Sequence, residues 1–173
     1  MPADLPAPAL RPQGPADGPF LLELYASTRQ EELDALCWPA PAREAFVKMQ
    51  FDACQRGYQA AFPRAQFAII LMAAQPIGHI VINRADDEFR LVDIALLPAH
   101  RGHGIGTALV QRLLREAAAA QKPLRLSVLR GQRAFRLYQR LGFEKTAEAG
   151  LRDQMEWRAD RLAHNNPTPC EPA

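Results

Sequence analysis

The sequence predicts an α/β domain in which helices flank a mixed sheet with at least one parallel crossover. Short runs rich in Ile and Val alternate with longer stretches whose apolar residues recur at helical spacing. Between residues 90 and 129 a predicted strand, helix and strand follow one another, as in a parallel crossover. The chain has 173 residues, of which 48% are hydrophobic, which suffices for one domain with a core of its own.

The individual elements follow from the spacing of apolar residues and from the prolines and glycines between them. The helix after the central strand has the clearest pattern, because its apolar side chains share one face. That face comprises Ile105, Leu109, Leu113, Leu114 and Ala117. In chain order, the predicted elements are a strand near Ala9–Arg11, helices Pro19–Arg29 and Ala42–Ala61, strands Gln66–Met72, Pro76–Asn83 and Arg90–Leu97, helix Gly104–Gln121, strand Leu124–Leu129, helix Gln132–Leu141, and strands Phe143–Thr146 and Leu151–Trp157.

Prolines define the expected ends of the folded part. Six occur in the first nineteen residues and three in the last seven, where they prevent helices and leave little to bury. We therefore expect a flexible Pro-rich N-terminus at residues 1–8, a single domain at residues 9–158 and a flexible C-terminal tail at residues 159–173.

Charge and cysteine content exclude several classes of function. Lys and Arg total 21 and Asp and Glu total 19, so the net charge of +2 disfavours a nucleic-acid partner. No apolar run reaches the ~18 residues of a membrane span, and the N-terminus lacks the pattern of a secretory signal. Cys37, Cys54 and Cys170 are odd in number and widely spaced, which favours reduced thiols over disulfides or a zinc site. We expect a cytoplasmic protein without a metal.

The stretch from Arg101 to Thr107 is the part of the sequence that most clearly indicates a ligand-binding site. It follows a predicted strand, opens a predicted helix and has glycine at alternate positions 102, 104 and 106. Bare backbone N–H groups at a helix N-terminus favour a phosphate or pyrophosphate. A P-loop needs a Gly-Lys pair, which the stretch lacks, and a dinucleotide fingerprint needs a third glycine where Thr107 or Leu109 stands.

The remaining pattern is Arg or Gln, two residues, Gly, one residue, and Gly or Ala, which Arg101, Gly104 and Gly106 satisfy. With these residues the sequence resembles the GNAT superfamily of acetyl-CoA-dependent N-acetyltransferases. The segment from Ala134 to Phe143 is similar to the family's Ala-x-x-Leu-Tyr-x-x-Leu-Gly-Phe motif, and the strand before Pro98 resembles its central strand. The clear match covers about residues 88–157. It implies the GNAT fold, a mixed, mostly antiparallel central sheet flanked by helices.

The resemblance implies where acetyl-CoA binds. In the family, the coenzyme pyrophosphate lies on the N–H groups of the glycine loop, with the arginine at its mouth. The implied contacts here are Arg101, Gly102, His103, Gly104, Ile105, Gly106 and Thr107. Backbone groups at the end of the family's central strand bind the pantetheine arm, and the matching residues are Ala95, Leu96 and Leu97. One N–H there is expected to face the thioester oxygen and lower the barrier by ~3 kcal/mol.

Tyr138 matches the tyrosine that the family uses as general acid, and it is also implied as a coenzyme contact. Its alternative role is packing, since Ala134, Leu137 and Leu141 share its helix face. Many members carry Asn seven residues before this tyrosine, where this chain has Gly131. Gln132 is the expected substitute for that amide.

The acceptor amine needs a group that takes its proton. An alkyl amine of pKa ~10.4 is mostly ammonium at neutral pH, so holding it neutral costs roughly 4–5 kcal/mol. Asp93 is the candidate base, because apolar strand neighbours should desolvate it and raise its pKa. A purely structural role for Asp93 is the alternative. His79, within an apolar strand, is expected to be a hydrogen-bonded core histidine, and Glu88 and Asp87 to be turn residues.

These inferences predict an enzyme that transfers acetyl from acetyl-CoA to a primary amine by direct attack. The acceptor is unidentified, a small molecule being favoured over a peptide or protein amine, and the resemblance also allows a homodimer. Candidate acceptor-lining aromatics are Tyr25, Trp38, Phe51, Tyr58 and Trp157. The alternative from another class is a non-catalytic acyl-CoA sensor.

Overall fold

The computed structural model describes residues 7–35 and 38–160. Most of the two terminal segments predicted to be flexible, and Cys37 and Cys170, lie outside these residues. The strands are β1 Ala9–Pro12, β2 Gln66–Met72, β3 Gln75–Arg84, β4 Phe89–Leu96, β5 Leu124–Leu129, β6 Glu144–Ala149 and β7 Arg152–Trp157. The helices are α1 Gly18–Thr28, α2 Gln30–Ala35, α3 Ala40–Ala61, α4 Ile105–Ala119 and α5 Arg133–Arg140.

The strands follow the order β1-β2-β3-β4-β5-β7-β6 in one seven-stranded sheet. Strand β4 runs parallel to β5, while the β1–β2, β2–β3, β5–β7 and β6–β7 pairs are antiparallel. The parallel ladder has three pairs, from Phe89↔Leu124 to Leu91↔Leu126. The predicted mixed, mostly antiparallel sheet with flanking helices is confirmed.

The chain divides into two compact units. The first comprises residues 1–83 and 92–106, and therefore holds β1, β2, β3, the second part of β4 and helices α1 to α3. Its core is aliphatic, with Ile69, Ile70 and Val81 completely buried. Near its start, Arg11 and the Gly14 N–H hydrogen-bond to the Asp17 carboxylate and lower the pKa of Asp17 to about 2.

The second unit comprises residues 84–91 and 107–173, of which the structure describes those up to 160. Helix α4 buries the apolar face predicted from its periodicity, with Leu113 and Ala117 almost inaccessible. The buried carboxylate of Glu156 accepts hydrogen bonds from Arg158 at 2.6 Å and Arg125 at 2.7 Å. These bonds outweigh the effect of burial and lower the pKa of Glu156.

Two elements differ from the sequence prediction. Helix α2 was not predicted; Glu31 and Glu32 occupy its first turn, where negative charge favours a helix N-terminus. Strand β6 extends to Ala149, three residues beyond its predicted end. All six of its residues are exposed, so no alternation of apolar residues marks it, and it is defined by its pairing with β7.

Gly78 allows a close approach between strands in the first unit. Ile70 pairs with Gly78 and Leu71 with Pro76, so Ile77 is the extra residue of a bulge in β3. A Cβ atom on Gly78 would lie 2.3 Å from the carbonyl oxygen of Ala95 in β4. A side chain at this position therefore requires the backbone to move.

We expect Gly78→Ala to lower the free energy of unfolding by about 1–3 kcal/mol, the usual range for overpacking in a buried site. Gly57→Ala in helix α3 is the matched control, because a Cβ there meets nothing within 4 Å. It should raise stability by about 0.5–1 kcal/mol, since alanine is the better helix former. Urea denaturation of both variants measures the difference, and equal stabilities would contradict the close approach.

Candidate active site

The glycine loop presents open backbone at the start of helix α4. Gly102 and Gly104 both have φ of +79°, a conformation that side-chain-bearing residues rarely adopt. A Cβ at Gly102, Gly104 or Gly106 would meet no atom within 4 Å, so each glycine borders open space. The first N–H groups of a helix have no partner inside it. The loop therefore has the backbone and the space to hold a phosphate group.

Arg101 connects this loop to the rest of the first unit. Its Nε donates to the carbonyl oxygen of Leu96 at 2.7 Å, and its Nη2 donates to the hydroxyl of Ser27 at 3.1 Å. The side chain thus joins the loop to the end of β4 and to the last turn of α1. Its exposed guanidinium places positive charge beside the loop. Direct binding of the coenzyme by Arg101 stays a prediction.

The amides at the end of β4 have different partners. The Leu97 N–H donates to the carbonyl oxygen of Ile77 at 2.8 Å, so this group faces β3. Successive residues of a strand direct their backbone groups to opposite edges. The Leu96 N–H therefore points to the other edge of β4. The β4–β5 ladder ends at Leu91, well before this residue.

Asp93 lies in the same strand and contacts His79 of β3. Asp93 Oδ2 is 3.0 Å from His79 Nε2, and the Asp93 side chain keeps 33% of its surface exposed while that of His79 keeps 9%. Tyr58 of α3 and the Ile94 N–H also hydrogen-bond to the Asp93 carboxylate. His79 is the buried, hydrogen-bonded histidine that the sequence predicted.

The prediction of a raised pKa for Asp93 was wrong in direction. Burial does raise the pKa of Asp93, as expected. Hydrogen bonds from His79, the Ile94 N–H and Tyr58, together with the charge of His79, lower it by more. The net result is a pKa below the ordinary aspartate value, so the carboxylate is held ionised.

Tyr138 belongs to the second unit. It is 7% exposed on helix α5, and its ring centroid lies 5.6 Å from that of Phe143. Its carbonyl oxygen accepts hydrogen bonds from the N–H groups of Leu141 and Phe143. The packing that the sequence offered as an alternative is therefore present, and the acid role stays a prediction from the motif.

Gly131 occupies the turn between β5 and α5 with φ of +80°. Asparagine tolerates this left-handed conformation better than other side-chain-bearing residues. Glycine in place of asparagine thus preserves the left-handed backbone conformation and removes one side-chain amide. Gln132 is the exposed N-cap residue of α5, and its side chain makes no capping hydrogen bond to the helix.

The aromatic residues proposed to line an acceptor pocket have separate environments. Tyr25 packs on Phe51 with ring centroids 5.7 Å apart, and Trp38 packs edge-on against Phe46 while remaining 42% exposed. Tyr58 hydrogen-bonds to Asp93. Trp157 is buried in the core of the second unit.

Residues 63–145 match the family model of the acetyltransferase (GNAT) domain. This region is a GNAT acetyltransferase domain. The match includes the glycine loop, the candidate acid Tyr138 and the His79–Asp93 pair. A comparison with curated protein sequences finds no match.

Solved structures share the fold of the GNAT domain and the elements around it. The PaiA N-acetyltransferase of Thermoplasma acidophilum, solved with coenzyme A, has a TM-score of 0.63 and 18% identity, over 87% of this chain and 98% of that one. An acetyltransferase of Thermus thermophilus has a TM-score of 0.63 and 16% identity, over 88% and 97%. A GNAT acetyltransferase of Elizabethkingia anophelis, solved with acetyl-CoA, has a TM-score of 0.57 and 15% identity, over 88% and 99%.

Residues 7–35 and 38–160 hold neither a metal-binding cluster nor a membrane-spanning helix. They contain no group of three or more His, Cys, Asp or Glu side chains that could hold a metal ion. No helix there combines the length and apolar character that crossing a membrane requires.

The structure brings together part of the predicted site. Asp93, the end of β4 and the loop from Arg101 to Gly106 lie in the first unit, whereas Gln132 and Tyr138 lie in the second. Sequence reasoning missed the link from Asp93 to His79 and Tyr58. A polar residue in each of two adjacent apolar strands was the available signal, but only the strand register shows that they meet.

The left-handed conformation of Gly131 predicts the order of stability of two variants at this position. Gly131→Ala should lower the free energy of unfolding by roughly 1–2 kcal/mol, the cost of a left-handed conformation for an ordinary residue. Gly131→Asn should cost less, because its side chain tolerates this conformation. A Cβ at this position meets nothing within 4 Å, so crowding plays no part. Thermal denaturation tests the order, and an asparagine variant less stable than the alanine variant would contradict it.

Proposed function

We propose that this protein transfers the acetyl group of acetyl-CoA to a primary amine by direct nucleophilic attack. The observation that carries this is the glycine loop, open and left-handed at Gly102 and Gly104, at the N-terminus of α4 within the GNAT domain. Neighbours of the same fold that were solved with coenzyme A or acetyl-CoA support the choice of cosubstrate.

The residues of the loop suit a pyrophosphate. Glycines at positions 102, 104 and 106 leave room for phosphate oxygens to approach the backbone. The start of α4 adds the partial positive charge of a helix N-terminus. His103, Ile105 and Thr107 contribute backbone groups next to these glycines, and Arg101 contributes positive charge.

The end of β4 supplies the backbone N–H group that we assign to the oxygen of the thioester. Of the three residues nominated there, Leu97 donates its N–H to Ile77, while the Leu96 N–H points to the opposite edge. We therefore assign the Leu96 N–H to the developing oxyanion, where such a donor contributes ~3 kcal/mol. Ala95 and Leu97 remain proposed contacts of the pantetheine arm.

Tyr138 is the proposed general acid. The nitrogen of the neutral amine forms a bond to the acetyl carbon and releases one proton to solvent, and the carbon–sulfur bond breaks. The departing thiolate takes a proton from the phenol, which regains one from solvent. The proposal rests on the position of Tyr138 in the Ala-x-x-Leu-Tyr-x-x-Leu-Gly-Phe motif. Gln132 is proposed to contact the coenzyme through its side-chain amide, because glycine at position 131 has no side chain to do so.

The proposed acceptor is a small-molecule amine in the cytoplasm, with a peptide or protein amine as the second possibility. A homodimer is compatible with this function, and neither nucleic acid nor a membrane is a proposed partner. A non-catalytic acyl-CoA sensor would bind the same coenzyme without turnover. Release of thiol from acetyl-CoA in the presence of a panel of small primary amines distinguishes the two.

Calorimetric titration with acetyl-CoA is the first test, with ATP and NAD as controls. We expect saturable micromolar binding of acetyl-CoA alone. Gly106→Val should abolish this binding in a folded protein, because its Cβ enters open space next to the loop and its φ is not left-handed. Normal affinity in this variant, or absence of binding in the folded parent, would overturn the phosphate-binding loop.

Tyr138→Phe is expected to lower turnover roughly 10²-fold or more, the scale of a lost general acid. The affinity for acetyl-CoA should stay nearly intact, and the phenylalanine ring retains the contact with Phe143. Thiol release measures turnover, and calorimetry measures binding. Unchanged turnover would remove the acid role and leave Tyr138 as a packing residue.

A further inference from the structure

The peptide group between Leu96 and Leu97 is held at both of its polar ends. Its N–H, which belongs to Leu97, donates to the carbonyl oxygen of Ile77 in β3 at 2.8 Å. Its carbonyl oxygen, which belongs to Leu96, accepts a hydrogen bond from Arg101 Nε at 2.7 Å. Because a peptide group is planar, hydrogen bonds on opposite sides fix its orientation. The end of β4 is therefore held by a strand on one side and by an arginine side chain on the other.

Arg101 lies at the edge of β4 that faces away from β3. The N–H and C=O groups of one strand residue point to the same edge, so both polar backbone groups of Leu96 lie there. The β4–β5 ladder ends with the pair Leu91↔Leu126, well before Leu96. Arg101 Nε thus takes the position that a neighbouring strand would take at the Leu96 carbonyl. The Leu96 N–H is left as the group of this residue that a ligand at this edge can use.

Ser27 holds the other end of the Arg101 guanidinium. Arg101 Nη2 donates to the hydroxyl oxygen of Ser27 at 3.1 Å and lies 3.4 Å from the backbone carbonyl oxygen of the same residue. The Ser27 hydroxyl donates its own proton to the Leu24 carbonyl oxygen at 2.7 Å, so its oxygen is free to act as the acceptor for Arg101. The last turn of α1 therefore sets the plane of the guanidinium, and that plane directs Nε at Leu96.

Resting on the proposed function, we propose that Arg101 is a positioning residue, and that the reaction depends on the hydrogen bond from its Nε rather than on its charge. By holding the Leu96 carbonyl, Arg101 fixes the residue whose N–H is assigned to the thioester oxygen. It also prevents that carbonyl from pairing with an amide N–H of the coenzyme. The open group of Leu96 then accepts only a hydrogen-bond acceptor, which the thioester oxygen is.

Two substitutions separate the hydrogen bond from the charge. In glutamine the side-chain nitrogen is the same number of bonds from Cα as Nε is in arginine, so Arg101→Gln keeps an N–H donor there and removes the charge. In methionine the terminal methyl group occupies that place, so Arg101→Met removes both the donor and the charge. The two variants are alike in length and charge and differ in the donor. A role of the charge predicts equal behaviour, whereas the positioning role predicts that Arg101→Gln resembles the parent.

Hydrogen exchange of the ligand-free protein tests whether Arg101 holds the peptide group. An amide exchanges when its hydrogen bond opens, so the exchange rate of the Leu97 N–H reports how firmly the peptide is held. In Arg101→Met this rate should rise roughly 3- to 10-fold, the scale of one lost hydrogen bond. In Arg101→Gln it should stay near that of the parent. Equal rates in Arg101→Met and the parent would overturn the proposal.

The carbonyl stretching frequency of bound acetyl-CoA, isotope-labelled at the acetyl carbonyl, tests the effect on the thioester. A hydrogen bond from the Leu96 N–H weakens the carbonyl double bond and lowers this frequency relative to free acetyl-CoA. We expect Arg101→Gln to keep the lowered frequency and Arg101→Met to shift it back toward the free value. The same frequency in both variants would assign any change to the lost charge and refute the positioning role.

Turnover separates positioning from coenzyme binding. Thiol release from acetyl-CoA is measured with the most active member of the panel of small primary amines. We expect kcat in Arg101→Met to be roughly 10-fold or more below that in Arg101→Gln, because the reacting group is no longer held in place. KM for acetyl-CoA should be similar in the two variants, since both lack the charge. A difference confined to KM, or equal kcat values, contradicts the proposal. Arg56→Met, at an exposed position of α3, is the matched control and should leave kcat unchanged.

The outcomes for the parent protein keep the two proposals apart. Absence of acetyl-CoA binding in the folded parent refutes the proposed function. Binding without a lowered carbonyl frequency refutes the assignment of the Leu96 N–H, and the positioning role of Arg101 falls with it. Binding with a lowered frequency in the parent, together with identical behaviour of Arg101→Gln and Arg101→Met, confines the failure to Arg101.

Discussion

The close approach of β3 to the end of β4 is the constraint on which the chemistry of the first unit depends. It is possible because Gly78 has no Cβ, which would otherwise lie 2.3 Å from the Ala95 carbonyl oxygen. The hydrogen bond from Leu97 to Ile77 fixes the same two strands one step further along. This contact sets which edge of β4 each backbone amide faces, and it places the chain to enter the glycine loop.

The same pairing brings His79 next to Asp93, and this changes the chemical character of the carboxylate. Burial alone would make Asp93 a better base by raising its pKa. Three hydrogen-bond donors reverse that effect and hold the group as a carboxylate. A carboxylate of low pKa is a poor proton acceptor and a good counter-ion, because its negative charge persists over the whole physiological range of pH. The environment of Asp93 thus holds this side chain in its ionised form.

Most of the fold could be predicted from the sequence, since the elements that build the core have clear periodicity. The apolar face of α4 is buried as its spacing indicated, and β2, β3 and β5 appear where runs of branched apolar residues occur. Elements without a buried face were harder to predict. Strand β6 is exposed along its whole length, and α2 contributes one buried side chain, Leu33, so neither leaves a strong pattern in the sequence.

For the site, the sequence by itself determined the glycine loop, because a run of alternate glycines leaves the backbone uncovered and lets residues such as Gly102 and Gly104 adopt positive φ. The tertiary structure alone decided the direction of the Asp93 pKa and which amide at the end of β4 is engaged. Both depend on residues that are distant along the chain, His79 and Tyr58 for the carboxylate and Ile77 for the Leu97 amide. Hydrogen bonds act over about 3 Å, so their effect on a charge is defined only once the strands and helices have come together.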